Sequence, residues 1–178
     1  MILLRRRVLA AAAAMPFIAG RSLAQTPSCG KPTAPQTAGP FFKPASPETK
    51  NLRLSGAKGI SLVVGGRVLS ADCKPVTNAL LDFWHADQDG DYDNEGFRYR
   101  GHQFTDAQGR WRLETILPAE YPGRTRHIHV NVQRPGGRLL TTQLYFPGEP
   151  GNARDGLYRP ALTLRMDKPD EGLFDFVV

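Results

Sequence analysis

Cysteine and histidine are scarce in this sequence. Its 178 residues contain two cysteines and four histidines. Neither Cys29 nor Cys73 has a second cysteine at the spacing of a zinc knuckle, so a thiolate zinc site is not expected. The two are free thiols or, in an exported protein, a disulfide that ties the amino-terminal segment to the body. Both states are compatible with the spacing.

The sequence also lacks a long apolar segment, internal repeats and a motif of interleaved basic and aromatic residues. Its amino-terminal apolar run, residues 8–19, is shorter than the roughly 20 residues that span a bilayer. The absence of repeats argues against a solenoid. Outside residues 1–24 the Lys and Arg residues are dispersed along the sequence, so nucleic acid is not an expected partner.

Residues 1–24 have the layout of an export signal. Arg5, Arg6 and Arg7 precede the alanine-rich apolar run, and small residues end the segment at Ala24. The arginine pair resembles a twin-arginine signal, with a Sec-type signal or a retained anchor as alternatives. We therefore expect a periplasmic or secreted protein without stable membrane association after signal removal. Removal lowers the formal net charge from +6 to +2, which is typical of an ordinary solvated surface.

The rest of the chain predicts an all-β fold, an antiparallel β-sandwich with an extended N-terminal arm. The arm is assigned to residues 25–58, which begin with a segment rich in Pro, Thr, Ser and Gly, and the sandwich domain to residues 59–178. Short strands at regular spacing support the sandwich. The third and fourth predicted strands are expected to form a hairpin. Strands are predicted at residues 60–69, 79–86, 103–105, 111–116, 127–133, 139–145, 161–166 and 173–177.

Two histidines share one face of the predicted strand 127–133. Because successive side chains of a strand alternate between its faces, His127, His129 and Asn131 point one way and the intervening apolar residues the other. The apolar face can pack into a core while the imidazoles project together, which suits a metal site. The isolated His85 and His102 are expected to be structural or exposed.

Tyrosines are the candidate further ligands. Tyr121 lies six residues before His127, and Tyr92 lies in the polar loop 87–94. Phenolate is a hard anionic donor, and a strong local cation can hold a tyrosine deprotonated. Two phenolates with two imidazoles therefore indicate Fe(III) rather than Zn(II). Taken singly, each tyrosine is equally well explained by a structural role.

Seven short motifs lie between about residue 36 and residue 155. They are Thr37-x-Gly39-Pro40-Phe41, Trp84-x-Ala86-x-x-x-Gly90-x-Tyr92, Thr105-Asp106-x-x-Gly109-x-Trp111, Thr115-Ile116-x-Pro118-x-x-Tyr121-Pro122, Arg124-x-x-His127-Ile128-His129, Thr142-Gln143-Leu144-Tyr145-Phe146 and Gly148-Glu149-Pro150. Together, and with gaps, they resemble the intradiol ring-cleavage dioxygenase family.

Three features depart from the family. The loop from Tyr121 to His127 is shorter than in the protocatechuate enzymes, and the helical dimerisation segment of the catechol branch has no counterpart. Position 111 is Trp where the family usually has Tyr or Phe.

The resemblance implies a non-haem Fe(III) enzyme that cleaves a small aromatic diol with O2 to a muconate-type dicarboxylic acid. It implies that Tyr121 is displaced by the substrate and takes up a proton, and that Arg124 stabilises negative charge beside Gln143. Family members commonly form homo-oligomers. The iron ligands implied are Tyr92, Tyr121, His127 and His129.

Two other functions remain open from the sequence. An exported β-sandwich binding or adaptor protein would keep the scaffold without turnover. A zinc hydrolase would use His127 and His129.

Overall fold

The structure is a computed structural model that describes residues 29–53 and 56–178. The export signal predicted for residues 1–24 lies outside the described residues. Within the described ranges, no helix is long and apolar enough to cross a membrane.

Two β-sheets confirm the predicted all-β sandwich. One is fully antiparallel, with strand order β3-β2-β5-β6, and the other has the order β4-β1-β8-β7 with β9 also paired to β1. In this second sheet the short strands β8 and β9 run parallel to β1, which the sequence did not predict. The strands are β1 (Ser61–Leu69), β2 (Leu80–Trp84), β3 (Arg100–Phe104), β4 (Arg110–Ile116), β5 (His127–Gln133), β6 (Leu140–Tyr145), β7 (Arg165–Lys168), β8 (Glu171–Leu173) and β9 (Phe176–Val177).

The predicted hairpin between the third and fourth strands is wrong. β3 pairs with β2, and β4 pairs with β1, so the turn between them carries the chain from one sheet to the other. The reason lies at Gly109, whose carbonyl oxygen accepts a hydrogen bond from the Val68 N–H at 2.8 Å. Gly109 has φ +69°, and an added Cβ would lie 2.7 Å from the Val68 carbonyl oxygen. The turn is therefore docked on the end of β1.

The predicted strand 161–166 is also partly wrong. Residues Pro160–Leu162 form a 3-10 helix, and β7 begins only at Arg165. Pro160 has no N–H to donate to a sheet, and its fixed φ favours the first position of a helical turn.

The hydrophobic core lies between the two sheets. Ile128, Val130 and Val132 of β5 are fully buried in it, together with inward side chains of β1, β2 and β4. Because strand side chains alternate, His127 and His129 lie on the opposite, outer face of the four-stranded sheet. They are nevertheless buried, at 3% and 1% exposed.

The N-terminal arm covers the outer face of the four-stranded sheet. Its main chain bonds to β6, where Gln36 N–H donates to the Thr141 carbonyl oxygen at 2.8 Å. Farther along, Thr49 N–H donates to the His102 carbonyl oxygen at 2.8 Å, beside β3. Near the start of the described chain, a disulfide joins Cys29 to Cys73, whose Cα atoms lie 4.9 Å apart. Of the two states left open by the sequence, the structure has the disulfide.

Candidate active site

The two imidazoles on β5 converge at their Nε2 atoms. These atoms of His127 and His129 lie 3.1 Å apart, and the ring centroids lie 4.7 Å apart. Burial lowers the pKa of His127 to about 4, and burial with the nearby His127 and Arg124 lowers the pKa of His129 well below its ordinary value. Both imidazoles are therefore neutral near pH 7, which is the form that binds metals.

Neighbouring groups fix the orientation of each ring. His127 Nδ1 donates to the carbonyl oxygen of Thr125 at 2.6 Å, which leaves its Nε2 as the acceptor nitrogen. The indole of Trp84 stacks on His129, with centroids 4.9 Å apart and planes 4° apart. An added Cβ at Gly39 of the arm would lie 3.5 Å from the His129 ring. The imidazole is thus held between the sheet and the arm.

The two tyrosines named from the sequence lie around this pair. The Tyr121 ring is 5.6 Å from the His127 ring, and the Tyr92 ring is 6.3 Å from the His129 ring, between centroids. The two phenol rings are 5.8 Å apart. The structure therefore brings the four predicted ligands together, although they come from three separate segments.

A glycine contact explains how the two tyrosine segments meet. Gly90, in the loop that carries Tyr92, has φ +92° and packs on the residue before Tyr121. An added Cβ there would lie 2.7 Å from the carbonyl oxygen of Glu120. In addition, Ala119 N–H donates to the Asp87 carbonyl oxygen at 2.9 Å. A side chain at position 90 would force the tyrosines apart.

The buried phenol of Tyr92 fits a metal ligand. Its Oη has no hydrogen-bond partner among the described residues. Burial, reinforced by Tyr121, raises the pKa of Tyr92 well above its ordinary value, against the opposing effect of Arg124 and Arg100. A bound cation would satisfy this oxygen and favour its phenolate form. Two phenolates and two neutral imidazoles are a donor set suited to Fe(III).

A zinc hydrolase fits the site less well. Structural and catalytic zinc sites use at least three ligands drawn from His, Cys, Asp and Glu. Over residues 29–53 and 56–178, no group of three such side chains is placed to hold a metal. His85 is fully buried and bonds through Nε2 to the Thr115 hydroxyl at 2.6 Å, while His102 Nδ1 donates to the Ser46 carbonyl oxygen at 2.8 Å. Both have the structural contacts expected of isolated histidines.

Arg124 and Gln143, predicted to lie near the substrate, are in direct contact. Arg124 Nη2 donates to Gln143 Oε1, and its Nη1 lies 3.4 Å from Tyr121 Oη. The remaining Nε donates to Asp155 at 2.9 Å. A cavity of about 330 Å³ opens beside Tyr121, Arg124 and Asp155, a volume that admits a single aromatic ring.

A larger groove exists elsewhere but carries none of these groups. It measures about 1030 Å³ and crosses the outer face of the other sheet, where it is lined by residues such as Arg67, Arg112 and Glu171. We place the chemistry beside the smaller cavity because Tyr121 and Arg124 line it, and the His127 and Tyr92 rings lie next to Tyr121.

Sequence reasoning missed several residues of this site. Tyr145 Oη lies 2.8 Å from Gln36 Oε1 and 3.0 Å from Gln143 Oε1, so it joins the arm to the substrate pocket. Strand alternation could have found Tyr145, since it stands two residues after Gln143 and opposite His127 in the sheet. Asp155 has no such signal, because it lies in an irregular loop.

Comparison with known proteins gives a consistent picture. A family model described as Dioxygenase matches residues 37–168. The protocatechuate 3,4-dioxygenase beta chain of Burkholderia cepacia is 37% identical over 139 residues, which cover 67% of this chain and 59% of that one. The catechol 1,2-dioxygenase of Acinetobacter baylyi is 31% identical over 158 residues, covering 72% and 51%. The chain thus spans about half the length of these curated relatives.

A solved structure matches over nearly its whole length. It is the dioxygenase domain of a dioxygenase carbohydrate-binding protein fusion from the cellulolytic bacterium Streptomyces sp. SirexAA-E. The two are 55% identical with a TM-score of 0.80, and the match covers 83% of this chain and 98% of the other.

Proposed function

The chain belongs to the intradiol ring-cleavage dioxygenase family, and we propose that it cleaves the ring of a small catechol-type diol with O2 to give a muconate-type dicarboxylic acid. One observation carries the proposal: two neutral imidazoles and two phenols converge near Arg124, and Arg124 and Tyr121 line a ring-sized cavity. That arrangement provides a metal site and a substrate site in contact with each other.

Ferric iron is the cofactor that we propose for this site. Tyr92, Tyr121, His127 and His129 would hold it. When bound, it supplies a Lewis acid that binds the diol oxygens and makes the ring reactive towards O2.

The chain's own residues supply proton transfer and charge stabilisation. Tyr121 borders the cavity, so its Oη, as a phenolate, would be placed to accept a proton from an incoming diol and become a neutral phenol. The Nη edge of Arg124 lies within 3.4 Å of that oxygen and stabilises negative charge that develops on the diol. Trp84 and Phe41 surround the ligands with aromatic surface and exclude water.

The experiment is oxygen uptake by iron-loaded protein over a panel of diols, with the products identified. The panel includes catechol, protocatechuate, hydroxyquinol and chlorocatechol, which the names of similar proteins suggest. We expect a red-brown protein and one O2 consumed per ring cleaved between the hydroxyl-bearing carbons. A coloured protein that binds diols without consuming O2 would instead support a binding or adaptor role. A protein that stays colourless and inactive after iron addition would refute the iron-enzyme proposal.

We also propose that the protein is exported to the periplasm or secreted. The support is the signal-like pattern of residues 1–24 and the Cys29–Cys73 disulfide, since disulfides persist in oxidising compartments. Changing Arg6→Lys and Arg7→Lys together should retain the precursor in the cytoplasm. Unchanged export would exclude the twin-arginine route.

A further inference from the structure

Arg100 is a buried arginine that the proposed reaction does not use. It is the first residue of β3 and is 2% exposed. Its guanidinium carbon lies 5.9 Å from the centre of the Tyr92 ring. Burial lowers the pKa of Arg100, yet a guanidinium remains charged in proteins. A fixed positive charge therefore stands beside one of the proposed iron ligands.

The hydrogen bonds of Arg100 leave this charge without a direct ion pair. Asp93, Tyr92 and Asp82 attract it only at longer range. Its Nη1 donates to the Phe41 carbonyl oxygen at 2.6 Å, and its Nε donates to the Asp93 carbonyl oxygen at 3.1 Å. Nη2 is buried with no partner in the described part of the chain, and no carboxylate there lies within ion-pair distance of the side chain. Buried charges are normally paired, because an unpaired one is costly.

We propose that Arg100 is a positioning residue for Tyr92, a fixed cation that orients this ligand and sets how readily it donates electron density to ferric iron. The inference rests on the proposed function, since it requires iron at the site. It assigns to the iron-bound Tyr92 the direct ionic partner that Arg100 lacks.

The same side chain also fixes the plane of the ligand. The ring of Phe41 stacks on Tyr92, with centroids 4.4 Å apart and planes 13° apart. Because Arg100 holds the carbonyl of Phe41, it ties the arm residue that packs on Tyr92 to the start of β3. Charge and orientation at Tyr92 thus depend on one guanidinium.

A nearby cation lowers the energy of the phenolate electrons. Moving an electron from that phenolate to Fe(III) then requires more energy, and the reduced iron is favoured over the oxidised iron. Loss of the charge should shift the phenolate-to-iron absorption band to longer wavelength and lower the midpoint potential.

The test compares the visible spectrum and the midpoint potential of iron-loaded variants. Arg100→Met removes the charge at similar length and should show both shifts. Arg100→Lys keeps the charge and should stay near the wild type. Arg98→Met is the matched control, because Arg98 lies two residues away but is 44% exposed and pairs with Asp87. It should leave the band in place.

A double substitution separates an effect through Tyr92 from a general structural effect. In a Tyr92→Phe background, Arg100→Met should cause no further shift of the remaining Tyr121 band. An equal shift in that background would overturn the proposal. So would a folded Arg100→Met protein with full iron content and the wild-type band and potential.

Two further outcomes are distinguishable. Should Arg100→Met not fold, Arg100→Gln, which can still donate to the Phe41 carbonyl, gives the same uncharged comparison. A wild-type protein that stays colourless after ferric loading would refute the proposed function itself, and the Arg100 assignment with it.

Discussion

The carboxylate of Asp155 holds Arg124 by its Nε edge, at 2.9 Å, and leaves the Nη edge directed at Tyr121 and Gln143. The side chains of the pair are 2% and 13% exposed. Burial acts to raise the pKa of Asp155, but N–H groups of Leu157 and Thr125 and the arginine together lower it below its ordinary value. The acid is therefore ionised at neutral pH and fixes the guanidinium in one orientation.

Asp155→Asn should lower kcat/KM by about 10- to 100-fold, because it loosens an arginine that acts on developing charge. Steady-state kinetics should show a larger effect on kcat than on KM. Iron content and colour should be unchanged. Asp167→Asn is the control, since Asp167 forms an exposed pair with Arg165. An Asp155→Asn enzyme with wild-type kcat would show that Arg124 needs no anchor.

Tyr92→Phe and Tyr121→Phe should each lose part of the visible band, because each removes one phenolate. We expect activity to fall by at least about 100-fold in both, in line with the loss of a group that acts directly on the reaction. Spectra and iron content of the purified variants give the measurement. Tyr99→Phe is the matched control, since this buried tyrosine stacks on His85 rather than on the proposed ligands. Equal loss of colour in the control would contradict the ligand assignment.

Phe41→Ala should destabilise the protein and weaken iron retention, because the ring stacks on Tyr92 and contacts Tyr121 edge-on. We expect a loss of about 2–4 kcal/mol in the free energy of unfolding. Urea denaturation and the rate of iron loss to a chelator measure the two effects. Phe104→Ala, at a side chain 44% exposed, should cost much less. Equal losses of stability and equal rates of iron loss in Phe41→Ala and Phe104→Ala would show that the Phe41 ring does not hold the arm on the ligands.

Stability of the metal-free protein should fall as the pH is lowered from neutral. Burial lowers the pKa of His85 to about 4, whereas an unfolded histidine titrates near its ordinary value of about 6.5. Between these values the unfolded chain binds a proton that the native chain does not, so the free energy of unfolding decreases with falling pH. The loss attributable to His85 is on the order of 3 kcal/mol and is complete below about pH 4.

Urea titrations of metal-free protein at several pH values test this expectation. His127 and His129 contribute in the same direction, since their pKa values are also lowered. His85→Gln, which can keep a bond to Thr115, should therefore reduce the steepness of the pH dependence without abolishing it. If His85→Gln had the same pH dependence as the wild type, the pKa of His85 would be the same in the native and the unfolded protein, which would contradict the expectation.

The strand β5 shows what local pattern can predict. Alternation placed Ile128, Val130 and Val132 in the core and His127 with His129 on the other face, and the structure agrees. Tyr92 and Tyr121 are candidates from their donor chemistry, but only the family resemblance favours them as ligands, because nothing in their own neighbourhoods distinguishes a ligand from a packed tyrosine.

Contacts between distant segments account for what was missed. The pairing of Arg124 with Asp155 spans 31 residues, and the bond between Arg100 and Phe41 spans 59. The sequence around each of these residues has no motif that indicates the contact. Their roles become evident only when the folded structure shows which residues they bind. The turn after β3 is similar: its hairpin-like sequence docks on β1, which no local pattern indicates.

The arm is the first described segment of the chain, yet its partners come much later. Gln36 bonds to Leu157 across 121 residues, Thr142 to Ala34 across 108, and Gln143 to Thr37 across 106. The strands of both sheets pair with one another, and no arm segment is among them. The face bearing His127 and His129 is therefore open in any state in which the arm is undocked. In such a state the ligands are accessible from solvent, so we expect entry and loss of the metal to be coupled to undocking of the arm.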